Sequence, residues 1–449
     1  MAKKNQNLTE GNIKSQLYRL TWPMLLGMMG MVIFNLVDTY FVGQLGLHEL
    51  TAMSFTFPVV MFLNSLALGV GTGTSALVSR NIIRSQKSEV KMMASRAILL
   101  GVIIVLVFVF AGLLTIRPVF TLLGAENDIL DFINDYMFIW YLGVPFVVIP
   151  MIGNNIVRAT GDTFTPGMIM VAIAVVNAIL DPLLIFGYGI FPEMGIKGAA
   201  LATVISRGIG LIIILYILIA RTKLLTIHIG KIKEIFSTWK DVLYVAGPAS
   251  LTMLITPISI GFITKILAGF GKEAVAAFGV ASRIEMFALM VIAALGSVLI
   301  IFVGQNSSKQ KFQRIEEALK ISLKFSLIWG GIVYLSLLFF GKATASIFTD
   351  ENGVIEIAKN YFWIIGASYG FQGLVMLSTS AFNGINKPYP SAFFSIIRMF
   401  VLYVPLAMIA SAIFDVYGVF WAGFIANLVV GVLSYKYLFK TIGKLKFTL

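Results

Sequence analysis

Two aspartates stand where carboxylates are rare, each inside a long apolar run. Asp38 lies in Asn35-Leu-Val-Asp38-Thr39-Tyr40, and Asp181 lies in Asn177-Ala-Ile-Leu-Asp181-Pro182. On helices, Asn35 and Asp38 are i,i+3 neighbours and Asn177 and Asp181 are i,i+4 neighbours, so each acid is expected to share a face with an amide. If the two runs face each other, two carboxylates and two amides converge on one polar pocket. Two acids that close cannot both ionise cheaply. Such a pocket can hold a proton or, offering oxygens alone, a hard cation such as Na+. A carboxylate at the centre of a membrane helix costs about 2.5–3.5 kcal/mol or more, so each needs a reason to be there.

The runs that carry these acids must be membrane helices. Of 449 residues, 58% are hydrophobic and 12% charged, against about 45–50% and about 25% in soluble proteins. The mean hydropathy is +0.92. This composition excludes a soluble enzyme, a secreted domain and a disordered chain. Apolar runs fall near 17–43, 52–79, 95–116, 131–157, 167–189, 196–220, 241–268, 274–303, 319–341, 355–383, 391–412 and 418–439. Each is far longer than the ~10 alternating residues of a barrel strand, so the expected fold is an all-α polytopic membrane protein of twelve spans. The chain has no cysteine, and its two histidines, His48 and His228, are too few and too far apart for a zinc site. The first apolar run continues through Asp38 into further spans, so no cleavable leader is expected.

The net charge of +13 reports orientation. Of 34 Lys and Arg, 25 fall with the termini and the even-to-odd loops, 6 fall on the other side, and Arg207, Arg283 and Arg398 lie inside spans. Under the positive-inside rule both termini are expected in the cytoplasm, and no nucleic-acid partner is implied.

An internal repeat organises the chain. Pro23 and Pro248 are 225 residues apart, as are Gly46 and Gly271, Ala52 and Ala277, Gly71 and Gly296, and Asn81 and Asn306. Later the offset is 223, pairing Gly161 with Gly384, Pro182 with Pro405, Gly195 with Gly418 and Ala199 with Ala422. The expected organisation is two six-helix lobes, 1–220 and 241–449, joined by a cytoplasmic linker at 221–240 and related by a pseudo-two-fold along the membrane normal. Parallel repeats of this kind are found in alternating-access transporters. The counterparts of Asp38 and Asp181 are Ile263 and Val404. Scaffold prolines recur in both halves, whereas the acids occur only in the first, as expected of a specialised cation-coupling site.

Other residues carry weaker signals. Pro23 and Pro182 each remove a helix hydrogen bond and are expected to bend their helices. Lys265 and Arg398 lie near enough to span ends to snorkel. Arg207 lies deeper and is expected to bond a carbonyl or carboxylate. Arg283 and Glu285 point to different faces, and Glu285 is the runner-up for a second proton-active site. Gly69-x-Gly71-x-Gly73 reads as close helix packing and not as a phosphate loop, because no strand precedes it. The methionines at 24, 28, 29 and 31 suit a wall that accepts varied ligands.

On these residues the sequence resembles the multidrug and toxic compound extrusion (MATE) transporters over nearly its whole length. The resemblance rests on the two halves, Asn35-Leu-Val-Asp38-Thr-Tyr-Phe-Val-Gly, Arg158-Ala-Thr-Gly-Asp162-Thr, Asp181-Pro182 and Gly198-Ala-Ala-Leu-Ala-Thr203. It implies a V-shaped pair of lobes and export of lipophilic, often cationic compounds in exchange for H+ or Na+. The protein is not expected to be an enzyme, and needs no cofactor beyond the coupling ion. Within the family the chain looks like the DinF-like branch, whose coupling site lies in the first lobe. The family's cation-site residues then fall on Asp38, Asn177, Asp181 and Thr203, the possible Na+ ligands, with Asn35, Tyr136 and Asn154 as the supporting network. The implied partners are small lipophilic or cationic substrates and membrane lipids, the implied state is a monomer, and the implied location is the cell membrane. The alternative is a lipid-linked oligosaccharide flippase of the same superfamily, whose pyrophosphate would call for a cavity lined with Arg and Lys.

Overall fold

The computed structural model describes residues 7–447, apart from the side chains of Leu47, Leu50 and Phe447. The helices are α1 (Ile13–Leu45), α2 (Leu47–Asn81), α3 (Lys87–Leu122), α4 (Asn127–Ala159), α5 (Phe164–Ile185) and α6 (Gly195–Tyr216). They continue as α7 (Ile232–Ala268), α8 (Lys272–Ser308), α9 (Phe312–Ser346), α10 (Asn352–Ile364), α11 (Tyr369–Gly384), α12 (Pro388–Ile396) and α13 (Val404–Phe447). A π turn, Ile217–Arg221, ends α6, and a longer π segment, Ile397–Tyr403, joins α12 to α13.

Two expected spans differ in detail. The tenth is broken into α10 and α11 by a tight 3-10 turn at Gly366–Ser368. The eleventh and twelfth run together in α13, but the chain leaves helical geometry at Phe414 (φ −125, ψ 19) and Asp415 (φ 51, ψ −139). A Cβ on Gly418 would run into the carbonyl of Ala410. In a straight helix those residues would be about 12 Å apart, so the chain doubles back there. With that reversal, the twelve apolar runs are all helical.

The helices bury their faces as membrane helices do. On α3 the buried side is Val90, Ala94, Ala97, Leu100, Val105, Gly112, Ile116 and Phe120. The opposite side is just as apolar, with Leu106, Val107, Phe110 and Leu114 each at least 60% exposed. An outer face as oily as the core has hydrocarbon as its solvent.

The helices gather into two compact units. One contains Trp22–Ala246, and the other contains Leu8–Thr21 together with Gly247–Leu449. Thus α1 is divided after Thr21 and α7 after Ala246, positions 225 apart and just ahead of Pro23 and Pro248. The division falls inside α7, beyond the expected 221–240 linker, because polar contacts fasten the preceding segment to the first unit. Arg96, buried on α3, donates to the Ile229 carbonyl at 2.7 Å, Glu234 Oε2 at 2.5 Å and Thr238 Oγ1 at 3.2 Å. In the second unit, Leu8 N donates to Gln305 Oε1 (3.1 Å), Lys311 Nζ to the Thr9 carbonyl (2.8 Å) and Arg314 Nη1 to the Gly11 carbonyl (2.9 Å).

Candidate functional site

Close backbone approach brings α1 and α5 together. Gly27 of α1 lies against Gly167, Gly30 lies against Val171, and a Cβ on Gly167 would collide with the carbonyl of Pro23. The helices therefore run parallel in contact. Continuing that register by eight residues sets Asp38 level with the last turns of α5, where Asp181 stands. Packing of Gly198 on Leu184 and of Gly210 on Ile173 fixes α6 antiparallel to α5. This places Thr203 level with the Asn177–Asp181 turn.

The site is buried and poor in internal partners. Asn177 and Asp181 are both fully buried, and Asn177 Nδ2 donates to Asp181 Oδ1 at 2.9 Å. Asp38 is buried on α1 in a stripe with Phe34 and Val42. Asp38 and Asp181 lie within electrostatic reach of each other, and Tyr136 of α4 lies within reach of both. Asp38 Oδ1, Asn177 Oδ1, Asp181 Oδ2 and Thr203 Oγ1 are buried without a hydrogen-bond partner. Leaving one buried polar atom unpaired costs about 1–3 kcal/mol. Four unpartnered oxygens from three helices are the kind of atom that a hard cation, or a proton held by an acid, takes as a partner.

Two expected members of the network stand elsewhere. Asn35 is exposed, and Thr39 Oγ1 donates to its backbone carbonyl. Three residues on a helix leave it about 60° round from Asp38, and the buried stripe instead follows the i+4 steps 34, 38 and 42. Asn154 is buried, with its amide oxygen unpartnered. However, packing of Gly143 on Val204 and of Gly153 on Ile214 aligns it with the region of Ile214, eleven residues along α6 from Thr203. At 1.5 Å per residue that is about 16 Å away along the axis. Pro182 falls in the closing turn of α5, three residues from its end at Ile185, and Pro23 is inside α1. The Arg158-to-Thr163 motif builds the start of α5. Gly161 takes φ 89, and Asp162 accepts from both the backbone N (3.0 Å) and Oγ1 (2.7 Å) of Thr165.

Two arginines join the first unit's interior. Arg207 Nη1 approaches Met31 Sδ at 3.7 Å, its guanidinium lies 4.7 Å over the Phe34 ring, and Asp38 is within electrostatic reach. Arg158, one of the basic residues counted above with the termini and even-to-odd loops, is buried in the last turn of α4 and donates to Met24 Sδ at 3.2 Å. Neither arginine forms an ion pair among the described residues, and the Nε of each is buried without a partner. The repeat carried a sign of this, since the counterpart of Arg158 at offset 223 is Ala381. The glycines of α2 do pack closely, Gly71 against Asn155 and Gly73 against Val242.

Comparison with known proteins agrees with this architecture. The MatE family profile matches the chain twice, over residues 23–183 and 248–409, so each half carries one copy. The "FAD transporter" of Shewanella oneidensis is 38% identical over 433 residues, covering 96% of both chains. The "Multidrug export protein MepA" of Staphylococcus aureus is 25% identical over 408 residues, 90% of this chain and 89% of that one. Among solved structures, the Vibrio cholerae MATE transporter VcmN in its bent form superposes with a TM-score of 0.90 at 30% identity, covering 97% of this chain and 98% of the other. A MOP superfamily transporter from Pyrococcus furiosus gives 0.91 at 26%, covering 99% of each. With a family match over both halves and a relative of this identity along nearly the full length, the chain belongs to the MatE family of transporters.

Proposed function

We propose that this protein is a secondary active exporter that releases lipophilic, often cationic compounds in exchange for H+ or Na+ by alternating access. It would act in the cell membrane with both termini in the cytoplasm. The observation that carries this reading is the set of partnerless buried oxygens on Asp38, Asn177, Asp181 and Thr203. Deprotonated acids make the first unit's interior favourable for a lipophilic cation. A proton or Na+ arriving from outside competes for the same oxygens, neutralises them and weakens the hold on the substrate. The ion's different affinity for the two states supplies the driving energy. Location of the acids in the first half supports the DinF-like branch.

The test is export of a fluorescent lipophilic cation from vesicles containing the purified protein, with a proton gradient and a Na+ gradient imposed separately. One gradient is expected to drive export, and Asp38→Asn is expected to reduce it to the background of empty vesicles. Export by Asp38→Asn at the parent's rate would overturn the coupling role.

A second reading concerns the cargo. The Shewanella oneidensis relative is named for flavin adenine dinucleotide, a pyrophosphate. Buried Arg158 and half-buried Arg207, neither in an ion pair among the described residues, offer the charge that such an anion needs. Flavin fluorescence in the same vesicles distinguishes the two cargoes.

A further inference from the structure

Another buried polar cluster lies wholly within the second unit. Glu285 of α8 accepts from Tyr361 Oη of α10 at 2.5 Å and from Gln372 Nε2 of α11 at 2.9 Å. Those donors lie on either side of the 3-10 break at Gly366–Ser368. Asn427 of α13 donates to Ser368 Oγ, inside the break, at 2.9 Å, and accepts from Arg398 Nη1 at 3.0 Å. Arg398 belongs to the π segment, a kind of irregularity that clusters at functional sites.

The repeat reveals what this cluster is. At offset 225, which pairs Asn352 with Asn127 at the helix starts, Tyr361 is the counterpart of Tyr136. Each tyrosine faces the acid of its own half. The remaining members have no polar counterpart. Glu285 corresponds to Val60, and at offset 223 Arg398 corresponds to Val175 and Asn427 to Val204. The first half gave up these polar groups just as the second half gave up the counterparts of Asp38 and Asp181. Around one recurring tyrosine, the first half thus carries two acids and the second half a different one.

We propose that the second unit holds a proton-binding site of its own, centred on Glu285. This deepens the exporter reading and rests on it only for the site's part in transport. Glu285 is half-buried and forms no ion pair among the described residues; its hydrogen-bond donors are neutral. Titratable groups in electrostatic reach of Glu285 include Tyr361, Tyr369, Tyr403 and Arg398. Arg283, on α8 itself, is exposed. Tyr369 is fully buried and its hydroxyl has no partner. A protonated Glu285 needs an acceptor, and a hydroxyl can accept as well as donate. A metal ion fits poorly, because Tyr361 and Gln372 already point hydrogens at both carboxylate oxygens. Hydrogen bonds to an ionised group are roughly twice as strong as neutral ones. Charged Glu285 therefore clasps α10 to α11 across the break, and a proton loosens the clasp.

Infrared difference spectra of the reconstituted protein, recorded as the pH is lowered stepwise, read carboxyl protonation directly. An Asp38→Asn/Asp181→Asn variant is expected to keep one protonated-carboxyl band that titrates. Adding Glu285→Gln removes that band. Tyr361→Phe, with Glu285 present, shifts its frequency and midpoint, which a purely structural contact would not do. This variant also carries the test if the triple substitution does not fold. A band that survives Glu285→Gln, or one indifferent to Tyr361→Phe, overturns the proposal. Dye export is scored separately on vesicles of the unsubstituted protein, so an absent export signal there, with the band behaving as expected in the variants, refutes the exporter reading and leaves the proton site standing.

Discussion

Replacing Asn177 and Asp181 together by leucine should make the protein more stable while ending its coupled transport. Both side chains are fully buried and joined by one 2.9 Å hydrogen bond. Asn177 Oδ1 and Asp181 Oδ2 remain unpartnered, at about 1–3 kcal/mol each. Removing both recovers about 2–6 kcal/mol, from which the lost hydrogen bond subtracts about 1 kcal/mol. Overpacking by the larger leucines takes away about 1 kcal/mol more. The expected net gain is about 0–4 kcal/mol. Asp181→Leu alone strands the Asn177 amide nitrogen, so its gain is offset and the single change should be near neutral. The two substitutions are thus strongly non-additive. Thermal unfolding of the detergent-solubilised protein, followed by tryptophan fluorescence, reads both effects as the apparent Tm. A double variant that melts below the parent would refute the reasoning, because the oxygens would then have been satisfied and the pair structural.

Other perturbations test the scaffold. Arg96→Ala removes a buried donor to Ile229, Glu234 and Thr238; because Glu234 is 49% exposed, the loss should be about 2 kcal/mol, below the 3–5 of a fully buried pair. It should also open residues 222–231 to limited proteolysis. Gly167→Val drives a side chain into the Pro23 carbonyl, so it should lower the apparent Tm and reduce export even with all the acids intact. Arg314→Ala deletes donors to Leu8, Gly11, Asn306 and Gln16; at about 1–2 kcal/mol after allowance for solvent screening, it should make the segment around Leu8–Gly11 susceptible to protease while the helix core melts nearly unchanged.

How much of this could be read from residues alone depended on which physics set each feature. Hydropathy measures apolar length, and every expected run is helical. It does not register local dihedrals, so the 3-10 break at Gly366–Ser368 and the reversal at Phe414–Asp415 were invisible to it. The i,i+4 pair Asn177–Asp181 was legible because both ends lie on one helix. Asn35 failed because an i,i+3 neighbour lies on the same broad face yet can point out of the buried stripe, and only packing against α5 chooses that stripe. The burial of Arg158 was not legible, because a basic residue near a span end looks like a loop residue until its neighbours, here Met24, are known. Glu285 was visible as a charge, but its partners come from three distant segments that no spacing rule connects. The divided α1 and α7 follow from contacts across some 300 residues, such as Leu8 with Gln305.

That last contact sets an order of events during synthesis. Residues 8–21 are among the first made, yet their packing partners in the second unit, Gln305 to Arg314, come some 300 residues later. At about 5–20 residues per second, the early segment waits on the order of 15–60 s before Gln305 exists. In contrast, the stretch 222–246 meets the first unit as soon as it emerges, because α2 and α3 are already in place. The first unit can therefore close while translation continues, whereas the second can be completed only by an amino-terminal segment that has been left unmatched since the beginning.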